Sequence, residues 1–316
     1  MITEIEFKES KAIQLENENV KAIVLPEMGG KIASLFSKEK EFELIFQNKE
    51  AVYAKASLND NFGSFDASGF DDAFPSINGG MVKIGDKEIQ YPDHGEIWSG
   101  SFSYIIKDEK VELYYKSAIL PYTYKKIISL KEERLLVEYK IENIGTEAFP
   151  CIWAAHYLVN CEANMELLLP KGTKQVINVL DSNFLGKEGT VHNFPTTLDL
   201  NGNQYNLNRI YPNAANKCEK FYTYNELREG SCGVYYPSKN LRYTLNFDKD
   251  KFPYIGFWIT EGGFRGDYNC ALEPANGFYD SISKAEKENK LYLLKAGDIL
   301  DFNMIIENSK FVKLDY

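Results

Sequence analysis

Apolar and polar residues alternate with a period of two through most of this chain, which narrows the fold more than any other feature. The pattern holds in "KVELYYKSAI" (110–119), "RLLVEYKIEN" (134–143), "LRYTLNFD" (241–248) and "ILDFNMIIEN" (299–308). Successive side chains of a strand point to opposite faces, so it predicts antiparallel strands buried on one face. Turn signals fall between them at Asn143 to Gly145, Asn201-Gly202, Gly262-Gly263 and Ala296-Gly297-Asp298. "PEMGGKIASLFSKEKEFELIF" (26–46) reads as an early hairpin, with Gly29-Gly30 as its bend. "SISKAEKENK" (281–290) is polar enough for a short surface helix or a loop. Many turn-bounded strands and few, short helices predict an all-β fold, a large antiparallel sandwich. No Pro/Ser-rich linker, low-complexity tract or clear repeat divides it, so a single domain over 1–316 is expected.

Composition removes several classes of function. Asp and Glu number 46 against 36 Lys and Arg, a net charge of −10. Such a chain has no electrostatic footprint for nucleic acid or anionic lipid. No apolar run approaches the ~20 residues of a membrane span. "MITEIEFKESK" lacks the basic-then-apolar layout of a signal peptide. The five cysteines (Cys151, Cys161, Cys218, Cys232, Cys270) are odd in number and form no CxxC pair. They are read as reduced thiols in a cytoplasmic protein, each a small buried hydrophobe.

With only three histidines, each can be weighed. His94, in "QYPDHGEIWS" (90–99), is bracketed by Pro92 and Gly95, placing it in a loop before a strand starting near Ile97. It is either an exposed loop residue or an imidazole held at the rim of a site. His156 lies in the apolar run "CIWAAHYLVN" (151–160). In a strand, Ala154 and His156 share one face, Trp153 and Ala155 the other. An imidazole in that setting is a satisfied core residue or a functional one. His192, in "GTVHNFPTT" (189–197), is read as structural or solvated.

In "CALEPANGFYDSIS" (270–283), Glu273 follows an apolar strand and precedes Pro274. Proline favours an extended residue before it and lacks a ladder donor, so the strand is expected to stop there. Glu273 then stands at the strand end, sharing a face with Ala271. It is an exposed strand-end residue or a carboxylate in a cleft, and a carboxylate among such neighbours has to be paired, hydrogen-bonded or solvated. A small residue two before each of His156 and Glu273 leaves room on their faces, and we expect both to line one concave pocket sized for a small ring. A carboxylate base and an imidazole acid suit proton transfer at two atoms of one substrate. The chain has no HxxxH or HxH, no clustered Cys/His, no GxSxG elbow, no P-loop and no convincing dinucleotide fingerprint. Acid/base chemistry without cofactor or metal is therefore the expectation.

Taken in order, "PEMGGKIASL", "GFDDAFPSI" (69–77), "YPDHGEIWS", "WAAHYLV", "GFWITEGGFRGDYNCALEPANGFYDS" (256–281) and "LKAGDILDFNMII" resemble the aldose 1-epimerase (galactose mutarotase-like) family, in a divergent branch with a "DHGE.W" segment. The resemblance implies a β-supersandwich with a sugar site on one concave face, and an isomerase that interconverts the α and β anomers of a free aldose. It implies Glu273 as the base at the C1 hydroxyl, His156 as the acid at the ring oxygen, and His94 as a second histidine bonding near it. Better-known members carry an arginine in the segment matching "FDDAFPSI"; here Asp71 and Asp72 stand there, as acceptors for sugar hydroxyls. The residue after the acid histidine is usually proline and here is Tyr157.

Trp258 is a candidate to stack on the sugar or to fill the core, as is Phe257. Lys126 and Arg265 are candidates to reach a hydroxyl or phosphate, and Asp267 either binds substrate or serves a turn beside Gly266. The five scattered arginines do not form the converging cluster a phosphate wants, so a sugar phosphate ranks second. A binding protein that kept the pocket without turnover, and hydrolysis by Asp71 or Asp72 with Glu273, are the other readings. The partner expected is a small sugar, a hexose or related aldose, with neither nucleic acid nor membrane; a homodimer is the one assembly held open.

Overall fold

The computed structural model describes residues 1–65 and 67–309. Almost all its regular elements are strands; among the described residues the one α-helix is Ile282–Lys287. The chain forms two compact units, Met1–Leu158 with Ala275–Met304, and Val159–Pro274 with residues 305–309. No helix among the described residues is long and apolar enough to cross a membrane.

In the first unit, Ile2–Phe7, Ser10–Glu16, Val20–Leu25, Lys31–Ser37, Phe70–Ala73 and Ala154–Asn160 lie side by side in that order. A second sheet runs through Ser103–Lys107, Lys110–Lys116, Tyr122–Lys131 and Arg134–Asn143, with residues 299–304 of the strand Ile299–Ser309 beside the last. The alternation in the sequence decides which side faces inward: along Tyr122–Lys131, Tyr122, Tyr124, Lys126 and Ile128 are buried and the residues between them half-exposed. Trp153 sits at the centre of this unit. Its ring meets Tyr139 at 5.1 Å and Phe302 at 4.6 Å, and its indole N–H donates to Tyr124 Oη at 2.7 Å. An aromatic ring buried this way removes ~150–250 Å² from water, about 4–6 kcal/mol before chain entropy is charged against it.

In the second unit, Tyr268–Ala275, Tyr254–Glu261, Lys217–Thr223, Gln175–Asn178 and Val191–Asn193 form one run of strands. Glu166–Leu168, Ser231–Tyr236 and Leu241–Phe247 form another. Phe221 stacks on Phe257 at 5.7 Å, which makes Phe257 a core aromatic. The Asn201-Gly202 signal is the turn between Thr196–Leu198 and Gln204–Asn206, with Gly202 at φ +81° and Asp199 accepting from the N–H groups of Asn201 and Asn203.

Several expectations shift by a few residues. The strand that carries Glu273 continues through Pro274 to Ala275. Proline's fixed φ suits extended backbone, and near a strand end it forfeits only its own N–H. No strand starts near Ile97; turns continue to the strand Ser103–Lys107. The His156 strand begins at Ala154, and Phe149–Cys151 pairs separately with Tyr292–Leu294. Cys151, Cys232 and Cys270 are buried thiols, while Cys161 and Cys218 are half-buried.

Candidate active site

In the first unit the loop Pro92–Ser99 is built around His94. His94 has φ +56° and its N–H donates to Ile77 O at 2.6 Å. Gly95 follows at φ +73°, bridged to Phe74. A Cβ on Gly95 would lie 2.0 Å from Phe74 O, so only glycine fits. Gly29 is needed for a similar reason, since its Cβ would lie 2.6 Å from Ile97 O. The sequence shows Gly29 only as a turn residue; in the fold it lets the early hairpin press against the His94 loop.

Each polar residue of "DHGE.W" has work within this loop. Asp93 Oδ1 lies 2.9 Å from His94 Nδ1, and its Oδ2 accepts from Phe62 N at 2.9 Å. Burial pushes the Asp93 carboxyl up, but the hydrogen bonds from His94 and Phe62 N, together with the His94 charge, hold it below its ordinary range. The Trp98 indole N–H donates to Asp93 O at 2.9 Å. Glu96 is wholly buried and accepts from Tyr115 Oη, Ser117 Oγ and Ala118 N. Asp93 thus engages Nδ1 of the imidazole and leaves Nε2 as the nitrogen to be presented.

His156 reaches the same place from the sheet. It pairs across the strands with Asp71, and Ala154 pairs with Ala73, so these four residues share one face. The His94 and His156 rings lie 5.2 Å apart, edge to face. Phe62 joins them, stacked on His94 at 4.1 Å and edge-on to His156 at 4.9 Å. Two histidines 62 positions apart in sequence therefore form one cluster with an aromatic ring that sequence reasoning missed.

The two aspartates in the arginine segment part company. Asp71 lies on the His156 face, buried, in an ion pair with Lys31 at 3.0 Å. Asp72 points the other way into the core. It accepts from Tyr139 Oη at 2.9 Å, Lys126 Nζ at 3.0 Å and Tyr124 Oη at 3.1 Å. The side chains of Lys126 and Asp72 have no exposure. This is a satisfied core network, so Lys126 and Asp72 are structural partners of one another rather than groups open to a sugar. Tyr157, where proline is usual, pairs across the strands with Phe70, their rings 5.3 Å apart.

In the second unit Glu273 is 1% exposed, and an ion pair to Lys220 Nζ meets its Oε2 at 3.0 Å. Lys220 pairs across the strands with Trp258, and Tyr222 with Gly256. A Cβ on Gly256 would come 2.9 Å from the Tyr222 ring and 3.0 Å from Glu273 Oε2. Gly256 is thus the gap that admits the carboxylate. Trp258 is partly exposed on this same face, edge-on to Phe264 at 5.4 Å. Asp267 is buried in the turn before the Glu273 strand, where its backbone bonds Gly262, Phe264 and Thr260. Arg265 is exposed. His192 is buried with Nδ1 3.1 Å from Thr197 Oγ1, and burial lowers its pKa, as befits a structural neutral imidazole.

Lys31, Lys220, Phe62 and Gly256 were not singled out from sequence. A faint signal exists for Lys220: "CEKFYT" (218–223) puts opposite charges on opposite faces of a strand otherwise rich in apolar residues. Among the described residues no group of three or more His, Cys, Asp or Glu is arranged to hold a metal ion.

A family profile described as "Domain of unknown function (DUF5107)" matches residues 3–91. No curated protein matches the chain. Solved structures match along nearly its whole length. The Slr1438 protein from Synechocystis sp. PCC 6803 superposes with a TM-score of 0.73 at 14% identity, covering 97% of this chain and 99% of that one. A galactose mutarotase-like protein from Lactobacillus casei ATCC 334 gives 0.70 at 19% identity, covering 94% and 100%. A "Putative aldose 1-epimerase" from Escherichia coli K12 gives 0.69 at 15% identity, covering 98% and 100%. At these identities the likeness is one of fold, and the chain has the mostly antiparallel β fold of galactose mutarotase-like proteins.

Proposed function

We propose that this protein is an aldose 1-epimerase that interconverts the α and β anomers of a free aldose by acid/base ring opening, without a cofactor. The observation that carries the reading is the His94–His156–Phe62 cluster, in which two histidines from distant segments converge beside an aromatic ring. Asp93 fixes the orientation and tautomer of the His94 ring through Nδ1, as an imidazole that bonds a substrate through Nε2 requires.

In the proposed reaction Glu273 takes the proton from the C1 hydroxyl. The C1–ring oxygen bond breaks, C1 becomes the aldehyde carbon, and His156 gives a proton to the ring oxygen. Rotation about C1–C2 turns the other carbonyl face to the ring oxygen, and closure reverses both transfers. His94 bonds the ring oxygen or a neighbouring hydroxyl. Trp258, exposed in part, offers its ring to an apolar sugar face, and Asp267 stays a candidate hydroxyl acceptor. Asp71 enters as an acceptor already paired with Lys31. Lys31, Lys126 and Lys220 are each committed to a carboxylate, which disfavours the sugar-phosphate variant. We place the reaction in a reducing, cytoplasmic setting on the strength of an odd number of cysteines with no CxxC pair.

Polarimetry of freshly dissolved α-anomers of a hexose and pentose panel tests this. The wild type is expected to speed equilibration of at least one sugar, and Glu273→Gln to lose ~10²–10⁴-fold of that acceleration. Binding of a sugar without acceleration would make the protein a sugar-binding module. No effect on any sugar, or a fully active Gln variant, would sink the reading.

A further inference from the structure

Three features of the second unit converge on one atom, Oε2 of Glu273. Lys220 places its ammonium 3.0 Å from it. Gly256, by lacking a side chain, leaves the space the oxygen occupies. Tyr222, paired across from Gly256, walls the same space. Lys220 is itself only 7% exposed, an unusual depth for lysine. Three strand residues are thus arranged to hold a carboxylate in one place and to set a positive charge against it.

We propose that Lys220 is the positioning residue of the Glu273 base, holding its carboxylate ionised and oriented for the proton of the C1 hydroxyl; this rests on the epimerase reading. A carboxyl buried to this depth would by itself be driven towards its neutral form, which accepts no proton. A neighbouring ammonium acts in the opposite sense and keeps the base charged. The pairing also shapes the second half of the reaction. When Glu273 takes the proton from O1, the ammonium is left buried without its counter-charge. That state is disfavoured, so the proton returns to oxygen on ring closure. Nothing is oxidised or reduced, and each proton removed is given back.

The test compares wild type, Lys220→Met and Lys220→Arg in two ways. The first is a pH titration of ¹³C-labelled glutamate carboxyls by NMR without sugar, with the Glu273 resonance assigned by its loss in Glu273→Gln. The second is the pH profile of kcat/KM by polarimetry. In Lys220→Met the Glu273 midpoint and the acidic limb of the profile are both expected to rise by about one to three pH units. In Lys220→Arg both are expected to stay close to wild type. A lysine that merely supports the strand would change the melting temperature and leave both midpoints alone, and that result overturns the proposal. Should Lys220→Met fail to fold, Gly256→Ala replaces it: the added methyl crowds Oε2 off the ammonium and raises the midpoint, and an unmoved midpoint overturns the proposal. If the wild type accelerates no sugar, the epimerase reading falls, while the NMR midpoint still decides whether Lys220 holds Glu273 ionised.

Discussion

At the residue scale, the chain buries lysines against carboxylates. Lys31 meets Asp71, Lys126 meets Asp72 and Lys220 meets Glu273, each at 3.0 Å with little or no exposure. A buried pair contributes little net stability, because desolvation of both ions offsets their attraction, but breaking one is costly. Lys126→Met is therefore expected to destabilise the protein by ~3–5 kcal/mol, leaving Asp72 with two tyrosines and no cation. Adding Asp72→Asn to that variant is expected to recover much of the loss, and urea unfolding of the two single variants and the double reads this directly. From sequence, Lys126 is a candidate to reach a hydroxyl or phosphate. Its partner lies 54 positions away, and nothing local to "YTYKKIISLK" says that Asp72 will arrive there.

At the element scale, the His94 loop shows how much one short segment carries. Asp93 grips the imidazole, Gly95 admits the Phe74 carbonyl, Glu96 is driven inward onto Tyr115, Ser117 and Ala118, and Trp98 closes back on Asp93. Gly95→Ala meets both a positive φ and a backbone oxygen, so it is expected to cost at least ~2 kcal/mol. It should also reduce the anomerisation rate beyond what the lost stability explains, since His94 is the preceding residue. Thermal melts and polarimetry on the same preparation separate the two effects. The loop position of His94 was legible from Pro92 and Gly95. The strand expected near Ile97 was not borne out, because Ile97 and Trp98 are buried by loop packing rather than by a ladder.

At the scale of the whole molecule, pH acts on stability through a second set of carboxylates. Burial raises the Glu219 carboxyl to about 7, with Glu261 adding to the shift and Ser182 and Lys217 opposing it. Burial also raises Glu261 to about 6, opposed by the Tyr211 N–H and Lys217. Lys217 has its ammonium among the rings of Phe184, Tyr205 and Tyr211, with Asp199 also within reach of its charge. A raised carboxyl means that the folded state binds more protons than the unfolded chain between the unfolded value and the folded one. Stability should therefore fall as pH rises from about 4.5 to about 7 and level off above. The drop attributable to Glu219 is on the order of 3 kcal/mol. Glu219→Gln should flatten most of that slope in melts taken across the window; an unchanged slope would assign it to other groups.

The sequence by itself determined the elements and their chemistry. Period-two alternation and turn residues are local properties, so strands such as Arg134–Asn143 could be read to the residue, and the all-β class followed. Glu273, His156 and His94 stood out because an ionisable group in an apolar run or a constrained loop is costly wherever the chain goes. The tertiary structure decided which charges meet. Strand alternation places Asp71 and Asp72 on opposite faces, but only the packed sheets show that Asp72 enters a core with Lys126 while Asp71 lies beside His156. Phe62, Lys31, Lys220 and Gly256 act through neighbours tens of residues away. Their roles depend on strand register and on which side chain a glycine leaves room for, and neither is written in any window of sequence short enough to carry a pattern.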